Sequence, residues 1–331
     1  MLITSLLLGF LPAMTEASVV PGPELMAPAV TARTLQTDSL ADLLPAESRY
    51  VAHVNVRALL ASRLWKELGA GLADLDNNAE LNELKNQLGI DPFTDINAVT
   101  VFSSSPDEES LGVMVHGTRA LRRALLRLDG IEDHTLVEIE GLNVHVFNEG
   151  GEDSYLYSHE DVGSEESLIV ISPSRTELLR SALVLRGGRR NLAASSAQGE
   201  EVPKLAIEPD TIMHVAFTGS IPGFDDGDPV GKVLSMARGG VFSLREFRNN
   251  LTMQLGVVTE TEDLALEMAD AVDGLMSLGA FLLSNTDEAP PEARQLLRSL
   301  RVNNDGATVF IDLSYPLDKL IGMASEMGAG R

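Results

Sequence analysis

Apolar side chains recur along this chain in two rhythms, every second residue in short runs and every third or fourth residue in longer ones. Tyr50 to Val56 alternates and is rich in β-branched residues, which predicts a strand. Leu60, Leu64, Leu68 and Leu72 follow at four-residue spacing with Trp65 beside them, which predicts one helix. On that pattern Trp65 is a core anchor, and its removal costs about 3–5 kcal/mol. A second helix is expected over 79–88, stopped at Gly89, with a turn at Asp91-Pro92. Strands are expected at 98–103 and 111–116. Thr118 then caps a helix in which Leu121, Ala124, Leu125 and Leu128 form one apolar face. Further strands are read at 135–139, 143–148, 154–158 and 168–172. Ser174 and Glu177 have capping-box spacing for a helix ending near Leu185.

The pattern then starts again. Strands are expected at 211–217, 241–246, 250–259 and 307–313, with helices at 229–237, 262–283, 291–300 and 316–327. The apolar stripe of the 262–283 helix includes Ala265, Met268, Ala269, Val272, Leu275, Met276, Gly279 and Leu282. Val51-Ala52-His53-Val54 is echoed by Ile212-Met213-His214-Val215. Hairpins set between helices predict an α+β fold: two similar units of mainly antiparallel sheet, helices packed on one face, related by internal duplication. The first unit is assigned to residues 43–190, a Gly-containing polar linker to 191–206, and the second unit to 207–331.

Residues 2–12 are an apolar run of signal-peptide length, too short to span a bilayer. Small residues at Thr15 and Ala17 fit cleavage before Ser18. Residues 1–17 are therefore read as a signal peptide and 18–42, with three prolines, as a flexible tether. The expected location is outside the cytoplasm: periplasm, cell surface or extracellular space. The mature chain is expected to carry no transmembrane anchor. The formal charge is −24, so phosphate backbones and anionic lipid heads are repelled, and nucleic acid is not an expected partner. Cysteine is absent, which removes disulfides, thiolate metal ligands and cysteine nucleophiles together.

The sequence carries no dinucleotide or phosphate-loop glycine motif, no G-x-S-x-G elbow and no HExxH. Asp74, Asp76 and Asn78 open like a calcium loop, but Ala79 and Lys85 stand where the essential glycine and glutamate belong. Asp225-Asp226-Gly227-Asp228 reads as an acidic turn before a helix. Four histidines, His53, His116, His145 and His214, fall inside predicted strands. If those strands are neighbours, two or three imidazoles meet, and zinc is conceivable. The plainer alternative is a set of hydrogen-bonded histidines on half-polar sheet faces. Arg119, Arg122, Arg123 and Arg127 share the polar face of the 118–128 helix and suit either a bound anion or solvated pairing with nearby acids.

One block is more characteristic. Leu44-Pro45-Ala46 precedes the first strand; Val54-Asn55-Val56, Leu59, Ser62, Leu64-Trp65 and Leu68 follow; Gly89-Ile90-Asp91-Pro92 leads to Asp95-Ile96. This block resembles a loose group of exported bacterial proteins of unknown function, and the resemblance covers roughly residues 43–120. It implies export and no particular activity. No catalytic, cofactor-binding or metal-binding residue is assigned, and no cofactor is expected. The expected function is a non-enzymatic binding or envelope-associated module whose partner is a protein or a small apolar ligand. The alternatives are a carrier of an apolar ligand, with the 262–283 helix closing over a sheet, and an enzyme whose site is assembled from distant residues.

Overall fold

The computed structural model describes residues 40–68, 85–86, 88–106, 110–128, 131, 133–159, 166–199, 201, 203–205, 207–219, 237–284 and 291–329. The expected signal peptide, most of the tether, most of the 79–88 helix, all but the last residue of the 229–237 helix, and the acidic segments 74–78 and 225–228 lie outside these residues. The fold is α+β. Among the described residues twelve antiparallel strands form one sheet in the order β11-β12-β10-β9-β8-β1-β2-β3-β7-β6-β5-β4.

The first half of the chain supplies β1 (Tyr50–Val54), β2 (Ile96–Ser103), β3 (Leu111–Thr118), β4 (His134–Ile139), β5 (Leu142–Glu149), β6 (Glu152–His159) and β7 (Glu166–Ser172). Its helices are α1 (Leu40–Leu43), α2 (Val56–Ala61), α3 (Arg63–Leu68), α4 (Pro92–Asp95), α5 (Arg119–Leu125), α6 (Arg175–Leu185) and α7 (Leu192–Ala197). The second half supplies β8 (Thr211–Thr218), β9 (Gly239–Phe247), β10 (Asn250–Val258), β11 (Leu300–Asp305) and β12 (Thr308–Pro316). Its helices are α8 (Glu262–Ser284), α9 (Pro291–Ser299) and α10 (Leu317–Ala329).

The halves meet where β1 pairs with β8. Outward from that seam the orders β1-β2-β3-β7-β6 and β8-β9-β10-β12-β11 match strand for strand, with the β4–β5 hairpin added to the first. At the seam His53 lies directly opposite His214, so the two echoed segments face each other at their shared histidine.

Strand alternation sends side chains to two faces. On the first face Val51, Phe102, Met114, Val170 and Tyr157 pack with Leu40 and Leu44, with Leu178 and Ala182 of α6, and with Leu192. On the second face Val113, Val115, Ile169 and Ile171 pack with Val56 of α2 and with Leu121 and Ala124 of α5. Both faces of the first half-sheet are thus covered, not the one face expected, which explains the unbroken burial of Ser167 to Ser172 in β7. In the second half Ala265 and Met268 of α8 cover Val257 and Val309. The cross-strand register from β10 through β1 to β3 puts these residues on the second face as well.

Three further readings change. The helix expected from the leucine spacing is two helices. The Ser62 amide bonds back to Ala58 and Leu59, while its hydroxyl accepts from the Trp65 amide at 3.0 Å, so one residue ends α2 and caps α3. The 191–206 stretch is not a free linker, because Asn191 caps α7, the Leu192 amide bonds to the Leu44 carbonyl, and Leu192 is buried. β11, which has few apolar residues, was not foreseen.

The residues of the characteristic block have local structural duties. Gly89 has a φ of +70°, and a Cβ there would collide with the Arg127 guanidinium. Asp91 caps α4 by accepting from the Phe93 amide at 3.1 Å, with Pro92 at the first helical position. Asp95 accepts from the Asp91 amide at 2.9 Å and from the Thr118 hydroxyl at 3.0 Å, and Thr118 in turn caps α5.

Trp65 is half-buried rather than enclosed, its ring 6.4 Å from that of Phe93. Trp65→Ala is therefore expected to cost about 2 kcal/mol, below the range for a fully enclosed aromatic. Denaturant unfolding of wild type and variant measures it, and the tryptophan emission should sit between buried and solvated values. An unchanged unfolding midpoint would place the ring in solvent.

Candidate functional site

Two features stand out from the packed sheet: a row of imidazoles on its first face and the outer side of α8. The row crosses the seam. Register places His214 of β8 opposite His53 of β1, and His53 opposite Thr100 of β2. His116 of β3 lies two residues from Met114, the partner of Thr100, and so shares that face. The structure brings His53, His214 and His116 together and leaves His145 elsewhere.

Each of the three rings has its own partner. His53 Nδ1 is 2.9 Å from Thr100 Oγ1, His116 Nε2 is 3.1 Å from Glu166 Oε2, and His214 Nε2 donates to the Lys204 carbonyl at 2.9 Å. His214 is 1% exposed, and its Nδ1 has no hydrogen-bond partner. Asn97, at the bulge between Ile96 and Ala98, is likewise buried with neither amide atom bonded. Among the described residues no three His, Asp or Glu side chains are grouped so as to hold a metal ion.

Burial pushes His53 down to about 4, helped by the charges that His214 and His116 would carry. Burial also lowers His214, against the opposing pull of the Lys204 carbonyl. It lowers His116, with the Glu166 carboxylate working the other way and Arg57 adding to the depression. An imidazole so reluctant to take a proton is a weak general base at neutral pH. Thr100, the one hydroxyl beside His53, is 3% exposed and out of a substrate's reach. The row reads as buried and half-buried sheet structure rather than as catalytic machinery. His145 instead bonds to His134 across the β4–β5 hairpin, Nδ1 to Nε2 at 2.8 Å, with Phe147 against the His134 ring.

Arg119, Arg122 and Arg123 of α5 and Arg127 in the turn that follows it are exposed as expected. Arg127 is occupied in covering Gly89.

α8 departs from its sequence reading. Ala265, Met268, Ala269, Val272, Met276 and Gly279 face inward or sit half-buried. Leu275 and Leu282, assigned to the same stripe, point away and are 45% and 57% exposed. With Leu278 at 54% and Phe281 at 64% they form an outer apolar strip at i, i+3, i+6 and i+7. A helix apolar on both sides gives no periodicity from which to choose the buried side. Glu262, Asp263, Glu267, Asp270 and Asp273 precede the strip, and α8 has no basic residue. Among the described residues no helix is long and apolar enough to cross a membrane.

No family model matches the chain, and no curated protein does. Crystal form I of TP0453 is similar over 89% of this chain and 98% of its own, at 11% identity and a TM-score of 0.43. Crystal form IV covers 86% and 96%, at 9% identity and a TM-score of 0.44. A likeness this distant says nothing of what either chain binds.

The imidazole row makes stability depend on acid. Unfolded histidines take up protons near pH 6.5, whereas His53 holds off to about 4. Between those values the unfolded chain binds more protons, so stability present above pH 6.5 is lost as pH falls towards 4. For His53 alone the loss is about 3 kcal/mol. Melting temperatures from pH 7 to 4 should fall steeply in wild type and less steeply in His53→Gln. Equal slopes in the two proteins would remove His53 as the cause.

Proposed function

We propose that this chain is an exported, non-enzymatic binding module that docks a protein partner on the outer side of α8. The strip Leu275, Leu278, Phe281 and Leu282 carries the reading, because a contiguous apolar surface left in water on a folded chain marks a site of association. Charge selects the kind of partner. Five acids and no base lie along the same helix, which suits an amphipathic helix with apolar anchors and a basic flank. The same charge disfavours anionic lipid surfaces. Export is supported by the apolar run at 2–12 and the small residues Thr15 and Ala17. The reading of the halves as two copies of one unit is supported by the matched strand orders and by the meeting of His53 and His214.

Two measurements test this reading. A fluorescently labelled synthetic helix of leucine and lysine should bind the wild-type protein and weaken with salt. The double variant Leu275→Ser, Leu278→Ser should bind at least about tenfold less tightly, a loss of about 1.4 kcal/mol or more. Equal binding by the variant would overturn the docking surface. Strip-dependent binding to zwitterionic vesicles instead would reassign it to lipid. Separately, N-terminal sequencing of the natural protein should begin at Ser18. Intact Met1 in a cytosolic fraction would end the export reading.

A further inference from the structure

The two edges of the sheet are built differently. β11, at one end, carries Arg301, Asn303, Asn304 and Asp305 and has α8 and α9 packed against it. Charged and amide side chains with a covering helix are the usual protection of an open edge. β4, at the other end, reads His-Thr-Leu-Val-Glu-Ile and has no lysine, arginine, proline or glycine. Among the described residues it pairs only with β5.

The exposure of β4 is of an unusual kind. Thr135, Leu136, Val137 and Glu138 are all exposed, Leu136 at 53% and Val137 at 36%. Successive strand residues point to opposite faces, so apolar surface is open on both sides of the strand at once. On one side Leu136 lies across from His145, flanked by Phe147; on the other Val137 lies across from the buried Val144. A strand added beyond β4 would continue both cores only if it too carried apolar side chains on both faces at its centre.

β4 itself meets that requirement. We propose that the β4 edge is the site at which two copies of this chain pair, antiparallel, about a twofold axis perpendicular to the sheet at Leu136. In that register Leu136 of each copy faces Leu136 of the other, Thr135 faces Val137, and His134 faces Glu138. No like charges meet across the new ladder, and the backbone donors and acceptors of both edges are satisfied together. The same kind of contact already exists within the chain, where β1 and β8 join the two halves through their own edges. Each copy carries a formal charge of −24, so the pairing works against long-range repulsion. Salt screens that repulsion and leaves the apolar contacts and ladder bonds in place. Dimerisation should therefore strengthen as salt rises, the reverse of binding to a basic partner at α8.

Sedimentation equilibrium of the full chain over a range of protein and salt concentrations tests the proposal. The expected result is a monomer–dimer equilibrium shifted towards dimer by salt, with slowed hydrogen exchange at the outward amides of β4. Leu136→Lys with Val137→Lys should stay monomeric throughout while keeping the wild-type circular dichroism and melting temperature. Both positions are exposed, so a folded variant is expected; Leu136→Thr with Val137→Thr, which keeps strand-forming residues, should weaken the dimer in the same direction. A wild-type protein that stays monomeric at high salt would overturn the proposal. So would a dimer that survives the β4 substitutions, including one lost through Leu275→Ser and Leu278→Ser, which would move the interface to α8.

Discussion

Everything in this molecule is arranged around the pairing of β1 with β8. Without it the chain would hold two half-sheets, each with a long unprotected edge at the strand that begins its half. With it, one sheet of twelve strands runs from β11 to β4. The register is held by side chains that leave no room for a slip. A slip of β8 by one residue against β1 would turn His214 to the second face and send Met213 to the first. Its imidazole would leave the Lys204 carbonyl, and a polar ring would replace an aliphatic side chain where α2 packs.

Buried polar groups in this fold are of two kinds. Ser181 bonds back to the Glu177 carbonyl and Ser172 to the Leu111 carbonyl, ordinary satisfaction within the fold. His214 Nδ1 and the Asn97 amide have no such partner. Buried polar atoms left this way cost free energy, in β8 at the seam for His214 and at the β2 bulge for Asn97.

Much of this was legible in the sequence, and what was not has identifiable causes. The strands with strong alternation or unbroken apolar runs, such as β3 and β7, declared themselves, as did α5 and α6 through their caps at Thr118 and Ser174. The break at Ser62 was hidden because the leucine spacing continues across it, and only the serine's two-sided hydrogen bonding shows the interruption. β11 was hidden because it is a strand by virtue of β12, with Leu300 and Val302 its only apolar residues. The neighbourhood of His53, His214 and His116 could be raised as a question but not answered, since it depends on which strands adjoin. The outward leucines of α8 were misassigned because periodicity distinguishes a buried side only when the other side is polar.

A small contact between the halves bears on how the chain reaches this state. The first amides of α3, those of Arg63 and Leu64, are held by the two carboxylate oxygens of Glu246 in β9, at 3.1 and 3.0 Å. The acid that satisfies this helix start thus arrives more than half a chain later. During synthesis the strands of the first half can assemble as soon as they emerge, but α3 keeps its open amides in water until β9 has been made and docked. The start of α3 is consequently completed by a contact of long sequence separation, the class of contact that slows folding.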